Sequence, residues 1–485
     1  MWGLGMKNIL LGCVLLVAAV GMGQTLSPEV QRFVKVNSPV VALTHVQVID
    51  GTGAAAKADQ TVVLSGGRIA ALSDAAAASI PKDAQVLDLH GYTVIPGLVG
   101  MHEHMFYPAG DAIFHEMAIS FPRLYLAGGV TTIRTTGSIE PYTDLLLKKG
   151  IDGGEVAGPH MHVTGPYLEG PGSFTPQMTE LKTPEEAVAT VNFWIDRGVD
   201  NFKAYNFISR AVLGAAIEAA HKRGVKVTGH LCSIGFREAA ALGIDDLEHG
   251  LDVDTEFFSG KKPDHCPDES AVVAELIKMK VSDAPIQDMI RDLVAHHVAI
   301  TSTLPVFELF VANKTPLQRR VLDAMSADAR NDFLENRVQL DLPRHDPKTG
   351  AVVPRPWAQG FAMDMEFERA FVKAGGLLLA GLDPTGIGGV IPGFGDQREV
   401  ELLVEEGFTP VEAIKIATYN GAQYLGELDR IGTITAGKQA DVVVIKGDPS
   451  TKIDDIENVE IVFKDGVGYD SPKLIESVRG LVGIR

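Results

Sequence analysis

At 485 residues and 46% hydrophobic, the chain is long enough for one large domain and a smaller one, each with a core. A formal net charge of −19 argues against a nucleic-acid partner or an anionic membrane surface, since both select a basic patch. Three cysteines are too few for a disulfide framework; with Cys13 in the N-terminal apolar run, one Cys232–Cys266 bridge is what the sequence permits.

The chain opens with Met6-Lys7-Asn8, an apolar run from Ile9 to Val20, and then Gly21-Met22-Gly23-Gln24. One cation, a run of about a dozen apolar residues and small residues at the cut have the layout of a secretory signal peptide. Residues 1–23 are therefore expected to be a removable signal, and the mature protein to be exported, periplasmic or secreted. No later segment offers about 20 uninterrupted apolar residues, so no membrane attachment is expected after signal removal.

From 38 to 94 short β-branched runs alternate with turn signals, as in Val46-Gln47-Val48-Ile49-Asp50-Gly51 and Thr61-Val62-Val63-Leu64-Ser65-Gly66-Gly67. The same texture returns over 425–475, with Ala440-Asp441-Val442-Val443-Val444-Ile445 and Val459-Glu460-Ile461-Val462-Phe463. The two ends together predict one small β-sandwich domain.

Between them, residues 95–424 alternate strand-like and helical runs, the pattern of repeated βα units on a parallel sheet. The expected strands are Val94–Val99, Val130–Arg134, Met161–Thr164, Asn201–Ala204, Val225–Gly229, Asp246–Glu248, Val298–Thr301 and Leu377–Ala380. Such units close naturally into an α/β fold of the (β/α)8 TIM-like barrel type, whose functional residues sit at C-terminal strand ends. The stretches 251–295 and 315–365 exceed what a helix and two loops require, and long insertions on a barrel are usually lids or specificity loops.

Six residues fall at or just past the ends of these runs: His102, His104, Lys203, His230, His249 and Asp383. His102 and His104 are two apart, so on an extended strand both imidazoles face one cation. Imidazole and carboxylate are ligands that borderline divalent metals such as zinc prefer. The set has the composition of a two-metal hydrolytic centre, in which the ions lower the pKa of water and polarise a carbonyl. It lacks a bridging group unless the Lys203 amine is carboxylated by CO2, because an ammonium beside two cations is electrostatically prohibitive. Asp383 is the candidate catalytic base, taking a proton from the attacking hydroxide and passing it to the leaving amine. Taken singly, each residue has an ordinary reading: a solvated lysine, a loop histidine, a turn-starting aspartate. A second His-X-His pair, His160 and His162, has no further ligand signal nearby and reads as packing. The conjunction at successive strand ends is what favours the metal centre.

These residues and their surroundings make the chain similar to the amidohydrolase superfamily, in its binuclear carboxylated-lysine group. The matching stretches include Val94 to His104, Phe202-Lys203-Ala204-Tyr205, Thr228-Gly229-His230, Leu247-Glu248-His249-Gly250 and Gly381-Leu382-Asp383, followed by the segment from Ile431 to Val444. The branch it most resembles contains Xaa-Pro dipeptidases and imidazolonepropionases. The resemblance implies a (β/α)8 barrel with a β-sandwich, two divalent ions, usually zinc, and ligand roles for all six residues. It also implies that Tyr205, and Arg134, engage a substrate carboxylate; the competing role for Arg134 is a structural ion pair beneath the barrel. Strand 2 departs from the branch in Arg134-Thr135-Thr136-Gly137, and strand 3 in Gly165-Pro166-Tyr167-Leu168-Glu169.

The function expected is hydrolysis of an amide bond in a dipeptide or N-acyl amino acid through a metal-activated hydroxide. Alternatives are lactone or phosphotriester hydrolysis on the same centre, a mononuclear deaminase, or a barrel scaffold without catalysis. The deaminase needs no bridging lysine and carries a glutamate motif after strand 5, where this chain reads Gly229-His230-Leu231-Cys232. The expected partner is a small-molecule substrate, with a homo-oligomer expected from family habit.

Overall fold

The computed structural model describes residues 25–484 apart from 111, 346, 347 and 354. The expected signal peptide, 1–23, lies outside the described residues. Both chain ends build one nine-stranded sheet. Its strands are Val34–Val36, Val40–Val48, Lys57–Ser65, Arg68–Asp74, Gln85–Asp88 and Tyr92–Pro96 from the front, with Val442–Lys446, Val459–Lys464 and Val467–Asp470 from the back. The two ends join where Tyr92–Pro96 runs antiparallel to Val442–Lys446, with Val94 opposite Val444. Alternation places Leu43, Val62, Leu64, Val94, Val442, Val444 and Phe463 on one buried face, where they pack as a separate core.

Hydrogen bonding runs through all nine strands, which curl around this core. The curl brings two hairpin tips together. Gly67 and Gly466 hold φ of 75° and 81°, and a Cβ on Gly466 would sit 3.0 Å from the Gly67 Cα. Glycine is needed at that contact both for its left-handed backbone and for its missing side chain.

The middle of the chain supplies eight strands, paired in parallel throughout. Leu98–Glu103, Val130–Thr135 and His160–His162 form one sheet; Asn201–Ala204, Lys226–Gly229, Asp246–Glu248, Ala299–Ser302 and Leu378–Ala380 form the other. Parallel bridges Thr164–Asn201 and Leu168–Ala204 link the third strand to the fourth. Beyond the eighth strand, the Asp383 N–H donates to the His102 carbonyl at 3.1 Å, linking the last strand to the first. Helices between the strands start at side-chain caps: Thr183 accepts from the Glu186 N–H with Pro184 in the first turn, and Ser209 accepts from Val212.

Seven expected strands fall within about two residues of the observed ones. The first does not. The run Val94–Val99 changes sheets at Pro96-Gly97: Tyr92–Pro96 belongs to the terminal sheet, and the parallel strand starts at Leu98. The turn is possible because a Cβ on Gly97 would collide with Thr131. His102 therefore lies within the strand and His104 one residue past its end.

The first insertion folds as a helical turn Gly250–Val253 and a helix Glu269–Leu276, ahead of the sheet-packing helix Ala284–Ala295. A Cys232–Cys266 disulfide ties this insertion to the end of the fifth parallel strand. The second insertion carries helices Arg319–Ala324 and Ala327–Asp341, then a small hairpin. Among the described residues no helix is long and apolar enough to cross a membrane.

Candidate metal centre

The parallel strands deliver five of the six ligand candidates into one cluster. His102 Nε2 lies 3.0 Å from Lys203 Nζ and 3.4 Å from Asp383 Oδ2. His249 Nε2 lies 3.9 Å from the same Asp383 oxygen, and His104 Nε2 lies 3.7 Å from Asp383 Oδ1. One atom each from His102, His249 and Asp383 falls within 4.8 Å of the others. His230 completes the ring, its imidazole centroid 4.5 Å from that of His249. All six sequence-predicted ligands are thus brought together.

Two of them arrive on strained backbone. His249 and Asp383 hold left-handed φ of 73° and 49°, which costs a non-glycine residue about 1–3 kcal/mol and is kept where the surroundings over-determine it. Backbone bonds fix both: His249 N–H donates to the Thr301 carbonyl and Asp383 N–H to that of His102.

The far ring nitrogens are occupied. His102 Nδ1 bonds Glu248 Oε2 at 2.8 Å, His104 Nδ1 bonds the Gly137 carbonyl at 3.2 Å, and His249 Nδ1 bonds Thr303 Oγ1 at 2.7 Å. For His102 and His104 the acceptor demands Nδ1–H, so Nε2 carries the lone pair that faces the cluster. His249 Nε2 is buried with no hydrogen-bond partner among the described residues. A buried orphan of this kind is rare and calls for a ligand.

Burial sets the protonation states. It pushes His102, His104 and His249 well below the ordinary imidazole range, with nearby positive charge adding to the effect, and pushes His230 down to about 3. The Lys203 amine is pushed down to about 8 by burial, against the pull of Glu248 and Asp383. Asp383 is raised by burial, partly offset by Lys203 and by the Thr385 hydroxyl, which donates to Oδ1 at 2.6 Å. Neutral imidazoles, a carboxylate and an inward-facing orphan nitrogen form a donor set that fits borderline divalent ions.

Of the two expected substrate contacts, Tyr205 lies at the rim. It is half-buried, its ring 5.0 Å from both His230 and Tyr167. Arg134 is corrected: it is 0% exposed and lies beneath the cluster. Its guanidinium donates to Asp246 Oδ2 at 2.9 Å, Glu248 Oε1 at 3.0 Å and the Met101 carbonyl at 2.8 Å. Those bonds occupy it in a structural ion pair, out of a substrate's reach.

Sequence reasoning missed Glu248 and Asp246. A signal existed: they stand two apart on a buried strand directly before His249, so both point to one side. Glu248 joins Arg134 to His102, and Asp246 holds Arg134 and the Thr301 hydroxyl. Thr303 and Thr385, each orienting a cluster residue, carried no comparable mark.

A family model described as the amidohydrolase family matches residues 93–324 and 388–467, more than half of the chain. A putative prolidase from Bifidobacterium longum is 25% identical, with a TM-score of 0.64 over 91% of this chain and 99% of that one. A Xaa-Pro dipeptidase solved with methionine in its active site is 20% identical, with a TM-score of 0.63 over 89% of this chain and 100% of that one. Bottromycin amidohydrolase is 20% identical, with a TM-score of 0.67 over 95% of each chain. A dihydroorotase from Syntrophus aciditrophicus (strain SB) is 35% identical over 83 residues, which span 17% of this chain and 19% of that protein. The chain belongs to the amidohydrolase family. It is a hydrolase.

Proposed function

We propose that the protein is a metal-dependent amidohydrolase that cleaves the amide bond of a dipeptide or an N-acyl amino acid. The observation that carries this is the convergence of His102, His104 and His249 on the Asp383 carboxylate, with the Lys203 amine against His102. Similarity to a prolidase and a Xaa-Pro dipeptidase supports the choice of an amide bond next to a free carboxylate. We read the eight parallel strands as a closed (β/α)8 barrel, because the Asp383–His102 bond joins its ends.

His102, His104, Lys203, His230, His249 and Asp383 would hold two divalent ions, zinc by expectation, which supply a lowered pKa for water and polarise the scissile carbonyl. The chain's own groups do the rest. Thr385 anchors Asp383 Oδ1, leaving Oδ2 to take a proton from water and return it to the leaving amine nitrogen. Lys203 is held where its neutral amine is accessible; addition to CO2 forms an N–C bond, releases one proton and leaves a two-oxygen carbamate able to bridge. Tyr205 at the rim donates its hydroxyl to the substrate carboxylate.

Export is the localisation proposed, and the Cys232–Cys266 disulfide supports an oxidising compartment. A homo-oligomer is proposed as its working state. The decisive experiment offers zinc-loaded protein a panel of Xaa-Pro dipeptides, N-acyl amino acids and lactones. Turnover of an amide that disappears on chelation and returns with zinc is expected. Hydrolysis of lactones alone would overturn the assignment.

A further inference from the structure

The second His-X-His pair has no part in the centre, yet His160 enters a cluster of its own. It opens the third parallel strand. Asp441 precedes Val442–Lys446 in the terminal sheet, and Asp465, on left-handed backbone at φ 54°, turns the chain between Val459–Lys464 and Val467–Asp470. Residues distant in sequence thus meet where the parallel strands abut the curled sheet.

His160 Nε2 lies 3.2 Å from Asp465 Oδ2 and 3.9 Å from Asp441 Oδ2. One atom each from His160, Asp441 and Asp465 falls within 4.8 Å of the others. Ligands about 2.0–2.2 Å from a tetrahedral zinc stand about 3.3–3.6 Å apart, and the two distances bracket that spacing. Asp441 is 5% exposed and the His160 and Asp465 side chains 21% and 39%, so the cluster is half-buried at the junction.

The hydrogen-bond pattern around these atoms is crowded. The Gln439 amide nitrogen has two hydrogens, but it faces His160 Nε2 at 2.8 Å, Asp441 Oδ2 at 3.2 Å, Asp441 Oδ1 at 3.4 Å and Asp465 Oδ1. His160 Nε2 cannot both accept from Gln439 and donate to Asp465. Two Arg430 N–H groups donate to the Gln439 carbonyl oxygen and to Glu427. Lys464 reaches Asp465 only at 3.7 Å. The Asp465 N–H donates to Asp441 Oδ1 at 2.9 Å; what stays unmatched is the 2.8 Å approach of the Gln439 nitrogen to His160 Nε2, and a cation on that ring nitrogen's lone pair would remove the conflict.

We propose that His160, Asp441 and Asp465 form a binding site for one zinc-like divalent ion, separate from the catalytic cluster, that clips the parallel-strand body to the terminal sheet. One imidazole and two carboxylates select a borderline transition ion; calcium, which takes 6–8 oxygens, is disfavoured. The ion's role is structural: it ties residue 160 to residues 441 and 465 and stabilises the folded chain.

The test is a crystal of the full chain grown with zinc, with anomalous difference maps on both sides of the zinc edge. A peak within bonding distance of His160 Nε2 and both carboxylates is expected, whatever is found at His102 and His249. Peaks at the His102 cluster without one at His160 overturn this site alone; a peak at His160 alone sinks the catalytic metal proposal and leaves this one standing. In solution, His160→Ala and the milder Asp465→Asn should each lower bound zinc by one ion per chain and remove a zinc-dependent rise in melting temperature, with turnover kept. Unchanged zinc content in both variants also overturns the site.

Discussion

His102 and His104 share their spacing with His160 and His162, but their surroundings differ. The side chains of the first pair are 0% and 1% exposed; those of the second are both 21% exposed. The first pair leaves the C-terminal end of its strand, where neighbouring strands bring Lys203, His249 and Asp383. The second pair makes up most of a three-residue strand and meets carboxylates of the terminal sheet and of the loop at Glu427. Burial drives His102 toward the neutral form, even though Glu248 bonds its Nδ1. For His162 burial acts in the same direction, but Asp200 and Glu427 outweigh it and hold the ring at about 9. The comparison teaches that burial and the charges facing it decide whether a histidine of such a pair is held neutral, as His102 is, or protonated, as His162 is.

The largest expected contrast is catalytic. Asp383→Asn should lower kcat by about 10²–10⁴-fold, the range for removing a positioned proton carrier. His160→Ala should leave turnover intact. Steady-state kinetics on whichever amide substrate the panel identifies, with circular dichroism to verify folding, checks both. Equal losses from the two variants would erase the distinction between the pairs.

Next comes the ion pair beneath the first pair. Arg134→Leu strands Asp246 and Glu248 without their cation in a fully buried site. Breaking a buried pair from one side typically costs about 3–5 kcal/mol, readable as a lower urea midpoint. A loss below about 1 kcal/mol would mean that solvent already reaches these carboxylates. A smaller effect is expected from Glu248→Gln, which keeps the shape but weakens the acceptor at His102 Nδ1. Supporting contacts of this kind are worth about 10–100-fold in metal affinity. Competition with a chromophoric chelator measures it, and unchanged affinity would remove Glu248 from the account of His102.

Much of this was legible in the sequence, for a physical reason. Strand ends are marked by apolar runs followed by polar residues, so His230, His249 and Asp383 could be assigned to one end of one sheet. The alternation of Val442 and Val444 likewise marked a half-buried strand, and the pairing of both chain ends followed from it. The fate of Arg134 was not legible. An arginine on a buried strand is positioned for substrate or for a hidden acid, and only the neighbouring strand's Asp246 and Glu248 decide between them. The junction at Pro96-Gly97 was hidden too, since an unbroken apolar run does not show where the backbone changes partners.

The smallest expected effect isolates His162 and follows from the sign of its shift. Its ordinary value is 6.5 and its folded value about 9, since the carboxylates of Asp200 and Glu427 offset the cost of burial. A proton held more tightly in the folded state stabilises that state fully below about pH 6.5, and the contribution is lost as pH rises through about 9. Seen from the other partner, Glu427 is pushed down from 4.5 to about 2 despite burial, because His162 bonds and faces it. The same contact is therefore also lost as pH falls from about 4.5 toward 2. Solvent screening at these partly exposed groups limits the effect to about 1–3 kcal/mol. Urea unfolding at pH 6 and pH 9.5 should show the wild type losing this increment, and Glu427→Gln should flatten part of the difference, Asp200 holding the rest. If the variant keeps the full pH dependence, His162 is not the group responsible, and the charge contrast between the two histidine pairs fails with it.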